Sequence, residues 1–523
     1  MTIHFHINHT TSYGEKVLLN VLVDDGDTKR KAQIEMTTVD GTEWTCHFNN
    51  AGAKANSHLD YFFSTEIAGR EHDREWTGIT HRIDINFTRC DKLHVYNIWH
   101  TPNDEAPHYS TAYTECLRPR KNGTVQRAVF ARTVRLIVRA PQLLSTDRLA
   151  LTCSDTCMGA WDTSKAILMT EHAPCEWQAD INAGSVSHNA ECKFHIIHAD
   201  GTTTPETAET RHLHLTGIGT YEAIVQELPE ARFDISCDAP NITSTSIARL
   251  RTDKSFGIGD LGDLSAFIEQ VAGNRRHNVV AIPPIGDTTS THTDADANPY
   301  SATSAYAIHP ILCDLRQLPQ VADAEKRQAF ENTRISLNAD NGSSYTATLG
   351  AKLSYLRSIF TQEGEHTTHS TAFKHWFKDN EHWLVPYAQY SYLRDAYSMP
   401  DFRLWPAHNE WTEAERGLLQ NPRTKAYKKL AFIYYAQYIM HTQLSAVHST
   451  ARKHGIVLMA DMTANINPNG CDVWQDSDAT TSHTWWSRRL RHAEQYFDAC
   501  LLAPAIMSQR LIVESTRLWC KTW

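Results

Sequence analysis

The run GIVLMADM brings a carboxylate, Asp461, to the end of an apolar strand, directly before the Thr/Asn-rich stretch TANINPNGCDVW. A carboxylate at the C-terminal end of a parallel strand is where barrel and open-sheet enzymes handle substrate. The competing use of such an aspartate is to cap a helix or brace a loop. Two tryptophans sit on turns: Trp161 follows Met158-Gly159-Ala160, and Trp76 follows Arg74-Glu75. A tryptophan on a loop exposes a large apolar face, which a flat partner such as a sugar ring covers, unless the ring folds back over the sheet edge. The segment Gly257-Ile258-Gly259-Asp260-Leu261-Gly262 matches GxGxxG letter for letter. A dinucleotide site needs a strand before that motif and an acidic residue about twenty positions after it. Here polar Arg251–Ser255 precedes it and Ile282 stands at the acidic position, so no dinucleotide site is expected.

Cys153 and Cys157 have no second pair nearby to complete a zinc site, and His195/His198 and His212/His214 lack a neighbouring third ligand. The reading is therefore free thiols, no metal and no cofactor. With 60 acidic against 50 basic residues the net charge is -10, which argues against a nucleic-acid or anionic-membrane partner. No apolar run reaches the ~18 residues of a transmembrane helix. The N-terminus lacks a basic-then-apolar signal, so the expected compartment is the cytoplasm.

The elements that must position these residues change character along the chain. To about residue 97, VLLNVLVDD, QIEMTT, EWTCHF, LDYFFSTEI and HRIDINF read as short strands between polar turns. A similar set begins near Ala128 with VFARTVRLIVRAP and runs through KFHIIHAD to RHLHL. Similar strand spacing in two stretches predicts tandem β-sandwiches over 1–97 and 127–217, joined by a Pro/Asn/Thr/Ser-rich linker over 98–126. A second connection over about 238–244 leads into a different grammar. LSAFIEQVAG reads as an amphipathic helix and NVVAIPPI as a buried strand, the alternation of an α/β layer structure. Residues of about 322–455 carry apolar side chains at three-to-four spacing and read as a large helical insertion.

SFGIGDLGDL, IPPIGDTTSTHTDADANPYSATSAYAIHP and GIVLMADMTANINPNGCDVWQ together resemble the 4-α-glucanotransferases, that is, amylomaltase or disproportionating enzyme of glycoside hydrolase family 77. The whole chain to about Ala499 resembles the form with two family-20 starch-binding modules ahead of its barrel. The resemblance implies a retaining transfer of α-1,4-glucan segments through a covalent glycosyl intermediate, with starch, maltodextrins or glycogen-like glucans as partners. The fold it implies over 245–523 is an incomplete (β/α)8 barrel carrying the helical insertion. In the barrel it implies substrate contacts at Asp287, Tyr300, Ser301, Asp461, Asp472 and Trp474. Ala460 and Thr463 replace the glycine and proline that flank the family's Asp461 position. In the modules it implies sugar contacts at Trp76, Trp161 and Lys193. The second stacking tryptophan of the second module would precede Glu206, where this chain has Pro205.

The catalytic part of the resemblance fails. Retaining transfer needs two carboxyl groups about 5–5.5 Å apart. Phe497-Asp498-Ala499 matches the segment before the family's Arg-Ile-Asp-His run, but Leu501, Ala503 and Pro504 then fall on its arginine, nucleophile and histidine. No family pattern follows, so no catalytic residue is assigned and the acid/base position is expected beyond Trp523. Strands are expected at about 279–285, 456–461 and 497–502. Three strands do not close an eight-stranded barrel, and an open parallel edge is an aggregation hazard. Three readings stay open: a glucanotransferase whose frame broke near codon 500, a non-catalytic starch-binding protein, and an enzyme completed by another chain or by other carboxylates. β-Sandwiches also host binding modules unrelated to carbohydrate.

Overall fold

A computed structural model describes residues 1–24, 29–49, 58–76, 78–85, 87, 89–103, 105–120, 128–187, 189–213, 218–235, 240–339, 344–412, 417, 419, 421–463, 466–477, 482–503 and 518–522. The chain divides into two compact units, Met1–Ala239 and Pro240–Trp523.

In the N-terminal unit, strand Thr2–Asn8 alternates outward histidines with Ile3, Phe5 and Ile7, each at most 1% exposed. Those three pack with Val17 and Leu19 of Glu15–Asp24 and with Leu59 and Phe63 of His58–Ile67, across from a second sheet. The period of two is what places one face of a strand in a core. A second sandwich repeats this plan. Leu149 and Leu151 of Arg148–Cys153 and Phe194 of Glu191–Ile197 pack over Val134, Leu136 and Val138 of Arg132–Arg139.

One eight-stranded sheet runs through both sandwiches. Lys92–Ile98 pairs in parallel with Thr2–Asn8 on one side and with Glu222–Leu228 on the other. Strand Arg132–Arg139 therefore has both faces covered. Val134, Leu136 and Val138 fill the second core, while Ile137 joins Ala223 and Val225 against the first. Ile137 shares its face with buried Thr133, Arg135 and Arg139, and Arg135 is matched there by Asp180 at 2.8 Å. The strand Glu222–Leu228 lies past the expected 217 boundary of the second sandwich. The connecting stretch is folded where it is described. Gln142 Nε2 donates to Glu105 Oε1 at 2.9 Å, and Tyr109 Oη donates to Glu230 Oε2 at 2.6 Å.

The C-terminal unit is a parallel sheet in the order β1 (Ile242–Ser244), β2 (Val279–Ile282), β3 (Val457–Met462), β4 (Ala499–Leu502) and β5 (Trp519–Thr522). The sequence predicts three of these strands. β1 falls in the stretch read as a connection, because three residues carry no pattern. The helices described over their length are α1 (Leu261–Asn274), α2 (Ala324–Ala339), α3 (Tyr345–His369), α4 (Thr371–Tyr397), α5 (Lys425–Lys453), α6 (Cys471–Gln475) and α7 (His483–Ala493). The predicted insertion over 322–455 is thus α2 to α5. Leu261, Leu264 and Ile268 of α1 and Leu444, Val447 and Ala451 of α5 pack on Val280, Ile282, Leu458 and Ala460 of the sheet.

The GxGxxG letters do structural work. Asp260 caps α1 in a reciprocal capping box with Asp263. A Cβ on Gly259 would lie 2.1 Å from Ile247 O, and one on Gly262 would lie 2.0 Å from Asp314 Oδ2. Nearby, buried Lys352 of α3 donates to Ile311 O and Cys313 O at 2.7 and 2.9 Å, tying the insertion to the chain after β2.

Candidate glucan-binding site

The chain leaving β2 (283–310) folds around Asp287, whose carboxylate is fully engaged by protein groups. Oδ1 accepts from Thr289 N and Oγ1 at 3.0 and 2.6 Å, and Oδ2 accepts from Tyr387 Oη of α4 at 2.7 Å. Its carbonyl accepts from Thr303 N and Oγ1 at 2.7 and 2.9 Å. Asp287 braces this loop.

The braced loop presents Tyr300, 43% exposed, whose hydroxyl donates to Asp461 Oδ2 at 2.9 Å. Asp461 ends β3 and is 5% exposed, and its Oδ1 is buried without a hydrogen-bond partner. Burial raises its pKa, opposed by the Tyr300 hydrogen bond and by Arg489. An orphaned carboxylate oxygen costs on the order of 1–3 kcal/mol unless a ligand or water meets it. Asp472 of α6 accepts from Ala305 N at 2.7 Å, and burial pushes it up to about 6. Arg489 of α7 donates through Nη1 to Thr463 O at 2.7 Å and lies over the rings of Trp485 and Trp486. Its Nε is buried without a partner, and burial lowers its pKa to about 10. Ser304, Asp461, Thr463, Arg489 and His492 line a cavity of about 70 Å³ at this end of the sheet.

The other sequence-predicted positions divide. Ser301 is exposed, one residue from Tyr300. Trp474 is a core residue, 4% exposed, with Nε1 donating to His408 O at 2.9 Å and its ring beside Tyr390 and Trp405. Ala503 follows β4 half-buried, so an apolar methyl occupies the expected nucleophile position. Pro504 lies outside the described residues. Asp498, just before β4, is committed to Arg452 at 2.8 Å and His448 at 3.1 Å. The sequence reading passed over Arg489, Tyr387 and His492. The paired tryptophans before Arg489 were the available signal.

In the N-terminal unit Trp161 is 41% exposed and stands at φ 67°, after Gly159 at 98° and Ala160 at 47°. Two consecutive non-glycine residues in the left-handed region cost on the order of 1 kcal/mol each. The turn holding them is fixed by Trp161 N donating to Cys153 O at 2.9 Å and by the caps of Asp155 and Asp162. Lys193 is half-buried on Glu191–Ile197, opposite Thr152. Trp76 is packed rather than presented. Tyr109 meets it edge-on at 5.7 Å, and a Cβ on Gly78 would sit 2.5 Å from its ring.

Glu75, His81 and His100 bring ligand atoms within 4.8 Å of one another, all buried. Their charges are already matched internally. His81 contacts Glu75 at 3.1 Å and Glu227 at 3.2 Å, and Arg139 donates to His100 Nε2 and to Glu227. A guanidinium in the same cluster makes this an ion network, with no room for a second cation's charge. Of the histidine pairs singled out in the sequence, His195 is buried in its strand and His198 is held by Asp147 and Thr204. His214 lies outside the described residues.

A family model described as 4-alpha-glucanotransferase, glycoside hydrolase family 77, matches residues 245–484. The chain is 25% identical over 341 residues to the 4-alpha-glucanotransferase DPE2 of Oryza sativa subsp. japonica, covering 65% of this chain and 36% of that protein. It is 22% identical over 281 residues to the 4-alpha-glucanotransferase of Chlamydia pneumoniae, covering 47% of this chain and 52% of that protein. It spans about a third to a half of the length of these relatives. Among solved structures, amylomaltase from Streptococcus agalactiae in complex with acarbose aligns at 15% identity and TM-score 0.41, covering 51% of this chain and 59% of that one. The family model and these relatives carry the same description, 4-alpha-glucanotransferase. Among the described residues no helix is long and apolar enough to cross a membrane.

Proposed function

We propose that the C-terminal unit is built on the 4-α-glucanotransferase plan and holds an α-1,4-glucan at the C-terminal ends of β2 and β3, while the N-terminal sandwiches hold starch-like glucan. The Tyr300–Asp461 pair carries this reading. A phenol and a half-satisfied carboxylate, fixed on a braced loop and a strand end, suit the hydroxyls of a sugar ring. Asp461 Oδ1 would accept from a sugar hydroxyl, Tyr300 would supply a flat face, and Ser301 a further hydroxyl. Asp472 and Arg489 then act behind them. Both are buried; Arg489 lines the cavity and holds Thr463, while Asp472 holds Ala305. Asp287 and Trp474 position the loop and the core beneath it.

The same reading assigns binding rather than turnover to this chain. With Ala503 after β4, the group that would form the glycosyl intermediate is a methyl, which can neither attack nor stabilise an oxocarbenium ion. The partners in this reading are starch, maltodextrins or glycogen-like glucans in the cytoplasm, with no cofactor. A non-catalytic glucan-binding role is thus favoured over transfer. Calorimetric titration with maltotetraose tests it. Asp461→Ala is expected to weaken binding about tenfold or more while Trp161→Ala leaves a binding event in place. Unchanged affinity in Asp461→Ala would remove the site.

A further inference from the structure

Four histidines, distant in sequence, meet on the outward face of the first sandwich. His4 of Thr2–Asn8 lies directly opposite His47 on one neighbouring strand and directly opposite His94 on the other. Ring centroids are 4.1 Å apart for His4–His47 and 4.9 Å for His4–His94. His6, two residues along the same strand, stacks on His94 at 5.8 Å and approaches Glu43 Oε1 at 3.5 Å through Nδ1. His47 is exposed and the other three rings are half-buried.

We propose that His4, His6 and His94, with His47 beside them, form a binding site for a divalent first-row transition metal, Zn²⁺ being the representative ion. Two donors at i and i+2 on one strand plus a third on the adjacent strand share one face of a sheet, because side chains alternate with period two. Imidazole nitrogens about 2.0–2.1 Å from a tetrahedral metal place ring centroids about 5 Å apart. The His4–His94 and His6–His94 separations of 4.9 and 5.8 Å bracket that value, and rotation of the rings about their side-chain bonds is the movement that metal binding would require.

The electrostatics agree. His94 Nδ1 is buried and lacks a hydrogen-bond partner. Burial, reinforced by His47, Lys92, His94 and His6, pushes His4 down to about 4. Burial likewise lowers His94, against the pull of Glu222. Burial thus favours the neutral form of His4 and His94, which is the form of imidazole that a metal binds. Glu43 beside His6 offers an oxygen donor or the outer-sphere acceptor that orients a ligating imidazole. The buried Glu75–His81–His100 group differs in this respect, since Arg139 and two carboxylates already saturate it.

The test is titration of the full chain with Zn²⁺ against a competing chromophoric chelator. The expected result is about one equivalent bound with micromolar or tighter affinity, weakened about tenfold or more in His4→Asn and in His94→Asn. His72→Asn, remote on an exposed strand, should leave it unchanged. Non-saturating uptake, or uptake equal in all four proteins, would overturn the site. Should either variant fail to fold by circular dichroism, Co²⁺ added to the wild type decides. Intense visible bands of a tetrahedral nitrogen site support the assignment, and the weak spectrum of an octahedral aquo ion refutes it.

Discussion

The two sandwiches of the N-terminal unit solve one problem with different cations. In the first, Glu75 Oε2 accepts from Phe63 N at 2.7 Å; in the second, Glu206 Oε1 accepts from Phe194 N at 2.7 Å, across the same interval of twelve residues. Trp76 N then donates to His100 O and Thr207 N to Arg232 O, tying each turn to the strand that closes its sandwich. Glu206 is neutralised by Arg211, both of whose short contacts are 2.8 Å. Glu75 is neutralised by His81, which also serves Glu227. An arginine remains charged at any working pH, whereas a histidine keeps its charge only while its surroundings hold the proton. The second sandwich is thus locked and the first is conditional. The alignment also fixes the residue before each glutamate, Arg74 in one and Pro205 in the other. Trp76 corresponds to exposed Thr207, and it is the edge of Tyr109 at 5.7 Å that covers its ring.

The largest effect should come from breaking the permanent pair. Arg211→Leu leaves the Glu206 carboxylate buried and unpaired, a loss of about 3–5 kcal/mol that thermal or urea unfolding would register. If Arg211→Leu unfolds like the wild type, Glu206 is not held as a carboxylate.

Titrating the conditional pair comes next. Glu75 and Glu227 raise the pKa of His81 to about 9 against its burial. Unfolded histidine titrates near ~6.5, so the proton linked to folding is retained only in the native state between these values. The contribution of His81 is complete below about pH 6.5 and gone above about pH 9. The unfolding free energy from urea titrations should therefore fall across that window by an amount on the order of 2–3 kcal/mol. His81→Arg should flatten the fall; a variant as pH-sensitive as the wild type would assign the loss elsewhere.

The two tryptophans sharpen the contrast with smaller effects. Trp76→Ala empties a packed position and should cost about 2 kcal/mol of stability with little change in retardation by amylopectin gels. Trp161→Ala should do the reverse, weakening retardation by on the order of 1 kcal/mol while stability holds or rises as the left-handed turn relaxes. Unchanged retardation in Trp161→Ala would remove it from the glucan surface.

Much of this architecture could be read in the sequence. Period-two stretches marked the sandwiches, three-to-four spacing marked α2 to α5, and the apolar runs before Pro283 and at Asp461 marked β2 and β3. The rest depends on contacts between residues far apart along the chain. Parallel pairing of Lys92–Ile98 with Glu222–Leu228 joins strands with no local signature of each other. β1 is too short to show a period. Asp287 and Trp474 carry the right letters for a sugar site, yet their side chains are spent on Thr289, Tyr387 and His408, because hydrogen-bond commitments are set by tertiary neighbours. His4, His47 and His94 illustrate the same point, being adjacent only through strand register.

The central claim, glucan held without transfer, is tested most directly by incubating the purified chain with maltotriose and resolving the products. The account predicts unchanged maltotriose, with neither glucose nor maltopentaose. Glucose accumulating at a rate abolished by Asp461→Ala would contradict it.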